Sequence, residues 1–351
     1  MTLRNDVFLR ACRCEPTPRT PVWVMRQAGR YLPEYRAIRE KYDFLTMCRT
    51  PELATAVTIQ PVEIIGVDAA ILFSDIMVVP QAMGMELELV EARGPVLHNP
   101  IRDAQRASEL HVPDPDDELG YVMDAIRMTR RELDGRVPLI GFSGSPWTLF
   151  AYMVEGSGSK AFRHPKEMVY ANPELARHLL DRITEAVTGY LLAQVRTGVD
   201  TVQVFDTWGG ILPPDEYREF SLSYMARVAT RIRETGVPVI LYSKDCAHSL
   251  EQIAGTGARV VGIDWRTDIS DARSRIGMST AIQGNLDPAV LFSTPGVIRA
   301  HVARVLRDVG PGGGHIFNLG HGVLPGTPVD NLKALVAAVA EESPRYHETV
   351  S

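Results

Sequence analysis

An apolar run, Thr201-Val-Gln-Val-Phe205, is followed by Asp206-Thr-Trp-Gly-Gly210. An amphipathic stretch from Pro214 to Arg233 comes next, then a second apolar run, Val237-Pro-Val-Ile-Leu-Tyr242. Strand, loop, helix and strand in that order make a βαβ unit. Strands that are apolar along nearly their whole length belong to a parallel sheet covered on both faces.

The same rhythm extends in both directions. Val22–Met25, Ala69–Phe73 and Pro138–Phe142 precede this unit as predicted strands, and Val260–Asp264, Thr280–Gln283 and His315–Leu319 follow it. With the two runs above, that makes eight. Helical patterns are predicted over Pro51–Ile65, with Thr50 at the N-cap and Pro51 at N1, and over Pro173–Val195, Pro295–Val309 and Pro328–Ala340. Met83–Leu97 reads as a small excursion, a hairpin, before further helices at Asp103 and Glu118. Eight strands with intervening helices predict a single (β/α)8 TIM barrel over residues 1–351, with a doubly wound open sheet as the other α/β solution.

Composition narrows the function. The 351 residues are 45% apolar and 23% charged, as in an ordinary globular protein. The net charge of −6 argues against a nucleic-acid partner, which needs a basic face to displace counterions. It does not argue against a small anion, because a pocket can differ in sign from the whole surface. Four cysteines, Cys12, Cys14, Cys48 and Cys246, are too few for a disulfide framework and fit a reducing cytoplasm. The N-terminal MTLRNDVFLRAC lacks the apolar core of a signal peptide, and no apolar run is long enough to span a membrane.

The chemistry collects after the strands, at the rim where a barrel keeps its active site. The predicted strands lead in turn into Arg26-Gln-Ala-Gly-Arg30-Tyr31, Ser74-Asp75, Ser143-Gly-Ser-Pro-Trp147, Asp206-Thr-Trp-Gly-Gly210, Ser243-Lys-Asp245, Asp264-Trp-Arg266, Gly284-Asn-Leu-Asp287 and Gly320-His-Gly322. Loops alone account for the Gly and Asp there, but not for the Trp, Arg and His. Arg26 and Arg30 are four residues apart. On a helical turn they would point one way and grip carboxylates or phosphates, whereas a solvated face would leave them in surface ion pairs. Asp75, at an apolar strand end, is either a helix cap or a functional carboxylate: acid, base, metal ligand or counter-ion. A Mg²⁺ site would need more oxygen ligands, for which Asp206 and Asp287 are candidates. Glycines on both sides leave His321 approachable for hydrogen bonding or proton transfer. Thr207 and Tyr152 add hydroxyls. Lys244 reads as a salt-bridge partner of Asp245 before it reads as a Schiff-base lysine. Gly255-Thr-Gly257, Gly310-Pro-Gly-Gly-Gly314 and Gly156-Ser-Gly-Ser-Lys160 all miss the spacing of a phosphate-binding loop.

The string Val24-Met-Arg-Gln-Ala-Gly-Arg-Tyr-Leu-Pro-Glu-Tyr-Arg36 closely resembles the N-terminal signature of the uroporphyrinogen decarboxylase family, and Gly141-Phe-Ser-Gly-Ser-Pro-Trp-Thr-Leu149 resembles its second signature. Ile71–Asp75, Phe205–Gly210, Gly284–Pro288 and Asn318–Gly322 match further blocks in order, so the resemblance covers essentially the whole chain. It implies a cofactor-free, metal-free homodimeric barrel that converts the four acetates of uroporphyrinogen III to methyls, giving coproporphyrinogen III in haem synthesis. It also implies the site. Arg26, Gln27, Ala28, Gly29 and Arg30 would contact substrate, with Thr207 (a Ser in some relatives) and His321. Asp75 would face the pyrrole N–H groups, and Asp75, Arg26 and Tyr152 would be catalytic. The main competitor is a zinc- and corrinoid- or folate-dependent methyltransferase of the same barrel superfamily, for which Cys246-Ala-His248 offers an incomplete ligand set. A non-catalytic tetrapyrrole carrier would need the arginines but not Asp75.

Overall fold

The computed structural model describes residues 3–90 and 94–347. Its centre is a parallel sheet. The strands, in chain order, are β1 (Ala70–Ile71), β2 (Leu87–Val90), β3 (Gly94–Leu97), β4 (Leu139–Gly144), β5 (Thr201–Asp206), β6 (Val239–Ser243), β7 (Val260–Gly262), β8 (Ala281–Leu286) and β9 (His315–Leu319). Seven of them form one curled sheet in the order β1-β4-β5-β6-β7-β8-β9, every pairing parallel, while β2 and β3 pair antiparallel outside it. That pair is the predicted hairpin, whose residues 91–93 lie outside the described residues. Apart from β2 and β3 the strands are almost wholly buried, which is why they read as unbroken apolar runs.

The first predicted strand, Val22–Met25, departs from expectation. Only Val22 forms a β-bridge, to Phe317 in β9. The cause is where its amides go. Trp23 N–H donates to the Phe317 carbonyl at 3.3 Å. Val22 N–H donates to Asp68 Oδ2, Val24 N–H to Gln27 Oε1 and Met25 N–H to Asn318 Oδ1, at 2.9, 3.2 and 3.0 Å. Side chains take the bonds that a ladder would use, so every amide is satisfied without a regular strand. The segment still lies between the sheet's last and first strands. Phe317 N–H reaches the Pro21 carbonyl, and Asp68 N–H reaches the Val22 carbonyl, both at 2.8 Å. β1 is short for the same kind of reason: Phe73 N–H turns away to Thr58 Oγ1 at 2.9 Å.

The helices follow the predicted boundaries closely at Pro51–Ile64, Pro173–Thr197, Pro295–Val309 and Val329–Glu342. Thr50 takes the N-cap position but makes no side-chain cap bond. The stretch Pro214–Arg233 is not one regular helix. It is α-helical over Pro214–Tyr217, π-helical over Arg218–Leu222 and α-helical again over Ser223–Arg233. The π turn brings Ser221 to the end of β5, where its Oγ donates to Asp206 Oδ2 at 2.8 Å. A local widening that delivers one side chain is the usual meaning of such a turn. Among the described residues no helix is long and apolar enough to cross a membrane.

Candidate active site

A cavity of about 390 Å³ opens at the C-terminal ends of the strands. Its apolar wall is aromatic. Tyr35 and Phe44 meet Phe73 edge-on with ring centroids 5.9 and 5.4 Å apart, and Phe142, Phe205 and Tyr242 form a second row at 5.7 and 6.1 Å. Ile71 and Leu72 complete it. Against this wall stand a few polar groups: Asp75, Thr207, His321, Arg26 and Arg30, with Ala28 and Gly29 as backbone lining. An apolar cleft with a small convergent polar set is the usual form of a ligand site.

Arg26 and Arg30 sit together at the mouth, but not as neighbours on a helix. Gln27 N–H bonds to the Val24 carbonyl at 3.0 Å to close a tight turn, and Arg26 takes a left-handed φ of 59° within it. A side chain other than glycine held at such a φ is uncommon and marks a segment fixed by its surroundings. Both arginines are exposed. Neither Arg26 nor Arg30 pairs with any described carboxylate, whereas Lys244, Asp245 and Arg266 form an ion-pair chain. Two guanidinium groups with no ion pair among the described residues stand at one cavity mouth, an arrangement able to hold carboxylates even on a chain of net negative charge.

Gln27 does something else. It is fully buried, its Oε1 accepting from Val24 N–H and its Nε2 donating to the Ala69 carbonyl at 3.0 Å, so its side chain holds the turn and does not line the cavity. Tyr31 braces the same turn by donating its hydroxyl to the Gln27 carbonyl at 2.6 Å. Tyr152, on the helix Pro146–Glu155, is not among the lining residues of the cavity, and its ring packs edge-on against Phe162 and Trp208.

Asp75 ends the β1 segment with one oxygen engaged: Oδ1 accepts from Met77 N–H at 2.7 Å. Burial pushes its carboxyl above the usual carboxylate range, against the opposing pull of that N–H and of the Arg26 charge. It makes no ion pair among the described residues, so its charge faces the cavity. His321 is pushed down to about 4, first by burial and then by the charges of Arg26 and Lys244. It is therefore a neutral hydrogen-bonding group at neutral pH and not a third cation.

The other strand-end acids are structural. Asp206 is fully buried and accepts from Ser145 Oγ at 2.6 Å, Thr148 Oγ1 at 3.1 Å and Ser221 Oγ at 2.8 Å. Asp287 caps the helical turn Pro288–Phe292. Cys246 is buried, its thiol donating to the Lys244 carbonyl at 3.2 Å. Among the described residues no three His, Cys, Asp or Glu side chains stand close enough to hold a metal ion. Lys244 pairs with Asp245 at 2.9 Å, as the residue types suggested. Burial raises the Asp206 carboxyl to about 6, with the three hydroxyls holding it back. A pKa higher in the folded than in the unfolded chain favours folding below the unfolded value of ~3.9, and that advantage fades as pH rises through about 6. Asp206→Asn removes this dependence. Relative to the parent, the variant should gain about 2–3 kcal/mol of unfolding free energy between pH 4 and pH 8, seen as diverging urea midpoints. Parallel midpoint curves would contradict it.

Polar residues at the strand ends do not announce the aromatic wall. The available signal was a large ring at or near the end of a buried strand: Phe142, Phe205 and Tyr242 all lie there.

The profile of the family described as Uroporphyrinogen decarboxylase (URO-D) matches residues 3–342. The chain belongs to that family. A uroporphyrinogen decarboxylase of Pelodictyon phaeoclathratiforme is 54% identical, over 98% of this chain and all of the relative. One from Chloroherpeton thalassium is 51% identical over 99% of both chains. Among solved structures, a methyltransferase from Methanosarcina mazei superposes with a TM-score of 0.80 at 22% identity, covering 97% of this chain and 99% of that one. At that identity the likeness speaks for the fold alone. The uroporphyrinogen decarboxylase blocks recognised in the sequence map onto the cavity rim, since Arg26, Arg30, Asp75, Thr207 and His321 all come from them.

Proposed function

We propose that the chain is a carboxy-lyase that removes the four acetate carboxyls of uroporphyrinogen III to give coproporphyrinogen III in haem synthesis. The observation that carries this reading is the juxtaposition, across an aromatic cavity, of Asp75 with Arg26 and Arg30, none of them in an ion pair among the described residues, in a chain whose relatives carry that enzyme's name. For each acetate one C–C bond breaks, CO₂ leaves, and a proton takes its place to make a methyl. The electrons of the broken bond need a sink. A pyrrole protonated at a ring carbon is a cation that accepts them, so the substrate supplies its own sink and no cofactor is required. Asp75, facing the pyrrole N–H groups from a poorly hydrated wall, stabilises that cation. Arg26 and Arg30 hold carboxylates, and Thr207, His321 and the Ala28-Gly29 backbone complete the contacts. Tyr152, which the family resemblance names as catalytic, is within reach only through the ring contacts it makes with Phe162 and Trp208. Arginine is locked as a cation, which keeps Arg26 in a holding role.

The reading includes one (β/α)8 barrel over residues 1–351, with the segment around Val22 as its eighth stave. The bonds from that segment to Phe317 and Asp68 support it. It also includes a homodimer in the cytoplasm, in line with the family resemblance and with four free cysteines, and no nucleic-acid or membrane partner. Anaerobic incubation with uroporphyrinogen III tests the whole. The expected result is stepwise loss of four carboxyl groups, followed by mass. Folded protein that releases no CO₂ would overturn the reading, and binding without release would favour a tetrapyrrole carrier.

A further inference from the structure

We infer that Gly322 is a positioning residue for Arg26: it is a side-chain-free berth that sets where the guanidinium points. The inference rests on the site proposed above. Three observations meet at this place. First, the Arg26 turn is docked to the segment after β9 by both polar groups of Met25: its N–H donates to Asn318 Oδ1 at 3.0 Å, and its carbonyl accepts from Val323 N–H at 2.9 Å. Second, Arg26 is held at φ 59° within the tight turn closed by Gln27 N–H and the Val24 carbonyl, which fixes its backbone. Third, a methyl on Gly322 would collide with the middle of the Arg26 side chain, lying 2.6 Å from Cγ and 2.9 Å from Nε and closer still to Cδ. The aliphatic part of Arg26 therefore runs across the face of Gly322.

The neighbouring glycine makes the contrast. A methyl on Gly320 would strike main chain, 2.9 Å from Asp264 C and Trp265 Cα and closer to Trp265 N, and a backbone cannot swing aside. At Gly322 the three atoms nearest such a methyl all belong to the flexible, exposed Arg26 side chain, and its φ lies outside the left-handed region, so an alanine there is free of backbone strain. The methyl is tolerated by moving Arg26. Stability is spared and aim is lost, which separates a positioning role from a structural one.

The test is a double-mutant cycle of the intact chain with uroporphyrinogen III: the parent, Gly322→Ala, Arg26→Ala and the double variant. Gly322→Ala should keep the parent's urea midpoint and raise KM about tenfold, with kcat within about threefold, as expected for loss of a grip common to ground and transition states. In the Arg26→Ala background the collision is gone, and the second substitution should add nothing to KM. Additive effects, or a parental KM in Gly322→Ala, would overturn the inference and leave the decarboxylase reading intact. If the parent shows no decarboxylation, that reading fails, and the crystal structure of Gly322→Ala decides the inference alone. A guanidinium displaced by about 1 Å or more supports it, since errors of that size disable a site. An unmoved Arg26 overturns it.

Discussion

Asp75→Asn should fold normally and lose about 10²–10³-fold in kcat, the usual cost of removing one preorganised charge from a developing ionic centre. The fold is spared because the amide oxygen of Asn still accepts the Met77 N–H that Oδ1 accepts now. Burial already disfavours the charged form of Asp75, so a neutral replacement relieves the folded state of a penalty. KM should change little, since the arginines hold the carboxylates. The pH profile carries a second signature. The active form of Asp75 is the carboxylate, and its pKa is raised, so it takes up a proton at a higher pH than an ordinary aspartate. The acid limb of kcat should therefore fall above the ordinary value of ~3.9, and the Asn variant should lack that limb. Turnover of the variant within a few-fold of the parent would remove Asp75 from its role.

The second large effect belongs to the paired arginines. Arg26→Ala combined with Arg30→Ala should raise KM by about 10²–10³-fold, with a smaller change in kcat. Each charge-assisted bond to a carboxylate is worth about 1.5–3 kcal/mol, and exposure of both side chains places the pair toward the lower end. Stability should hardly move, because among the described residues neither guanidinium has an ion-pair partner. Salt offers an independent check: the parent's KM should rise with ionic strength and the double variant's should not. Lysines at both positions should restore only part of the affinity, because a point charge does not reproduce a bidentate fork. Unchanged affinity in the double alanine variant would show that the substrate carboxylates are held elsewhere.

Much of this was legible in the sequence, for physical reasons. Buried parallel strands must be apolar on both faces, so the runs ending at Phe205, Tyr242 and Leu319 announce themselves. Polar residues within them, such as Gln203 and Gln283, must pair with each other inside the sheet, and those free to meet a ligand stand at the ends, which located Asp75, Thr207 and His321 beside Arg26 and Arg30. What stayed hidden depends on partners far away in the chain. Nothing local distinguishes Asp75, facing a cavity, from Asp206, sealed beneath three hydroxyls, because the difference lies in Ser145, Thr148 and Ser221. The irregularity of residues 22–25 was equally invisible, since the side chains that take its amides come from Gln27, Asp68 and Asn318. The family resemblance implies Gln27 as a substrate contact, while in the structure both ends of its amide are occupied inside the fold.

That irregular segment has an implication for how such a protein changes over generations. Ladder bonds between β4, β5 and β6 are made by main chain and survive almost any exchange of side chains. The attachments at Val22, Val24 and Met25 are written in the genetic code, one codon each for Asp68, Gln27 and Asn318. The scaffold is therefore robust to mutational drift, while the stretch that presents Arg26 can be re-aimed by a single replacement. A descendant lineage can acquire a new ligand preference here without first having to reinvent its architecture.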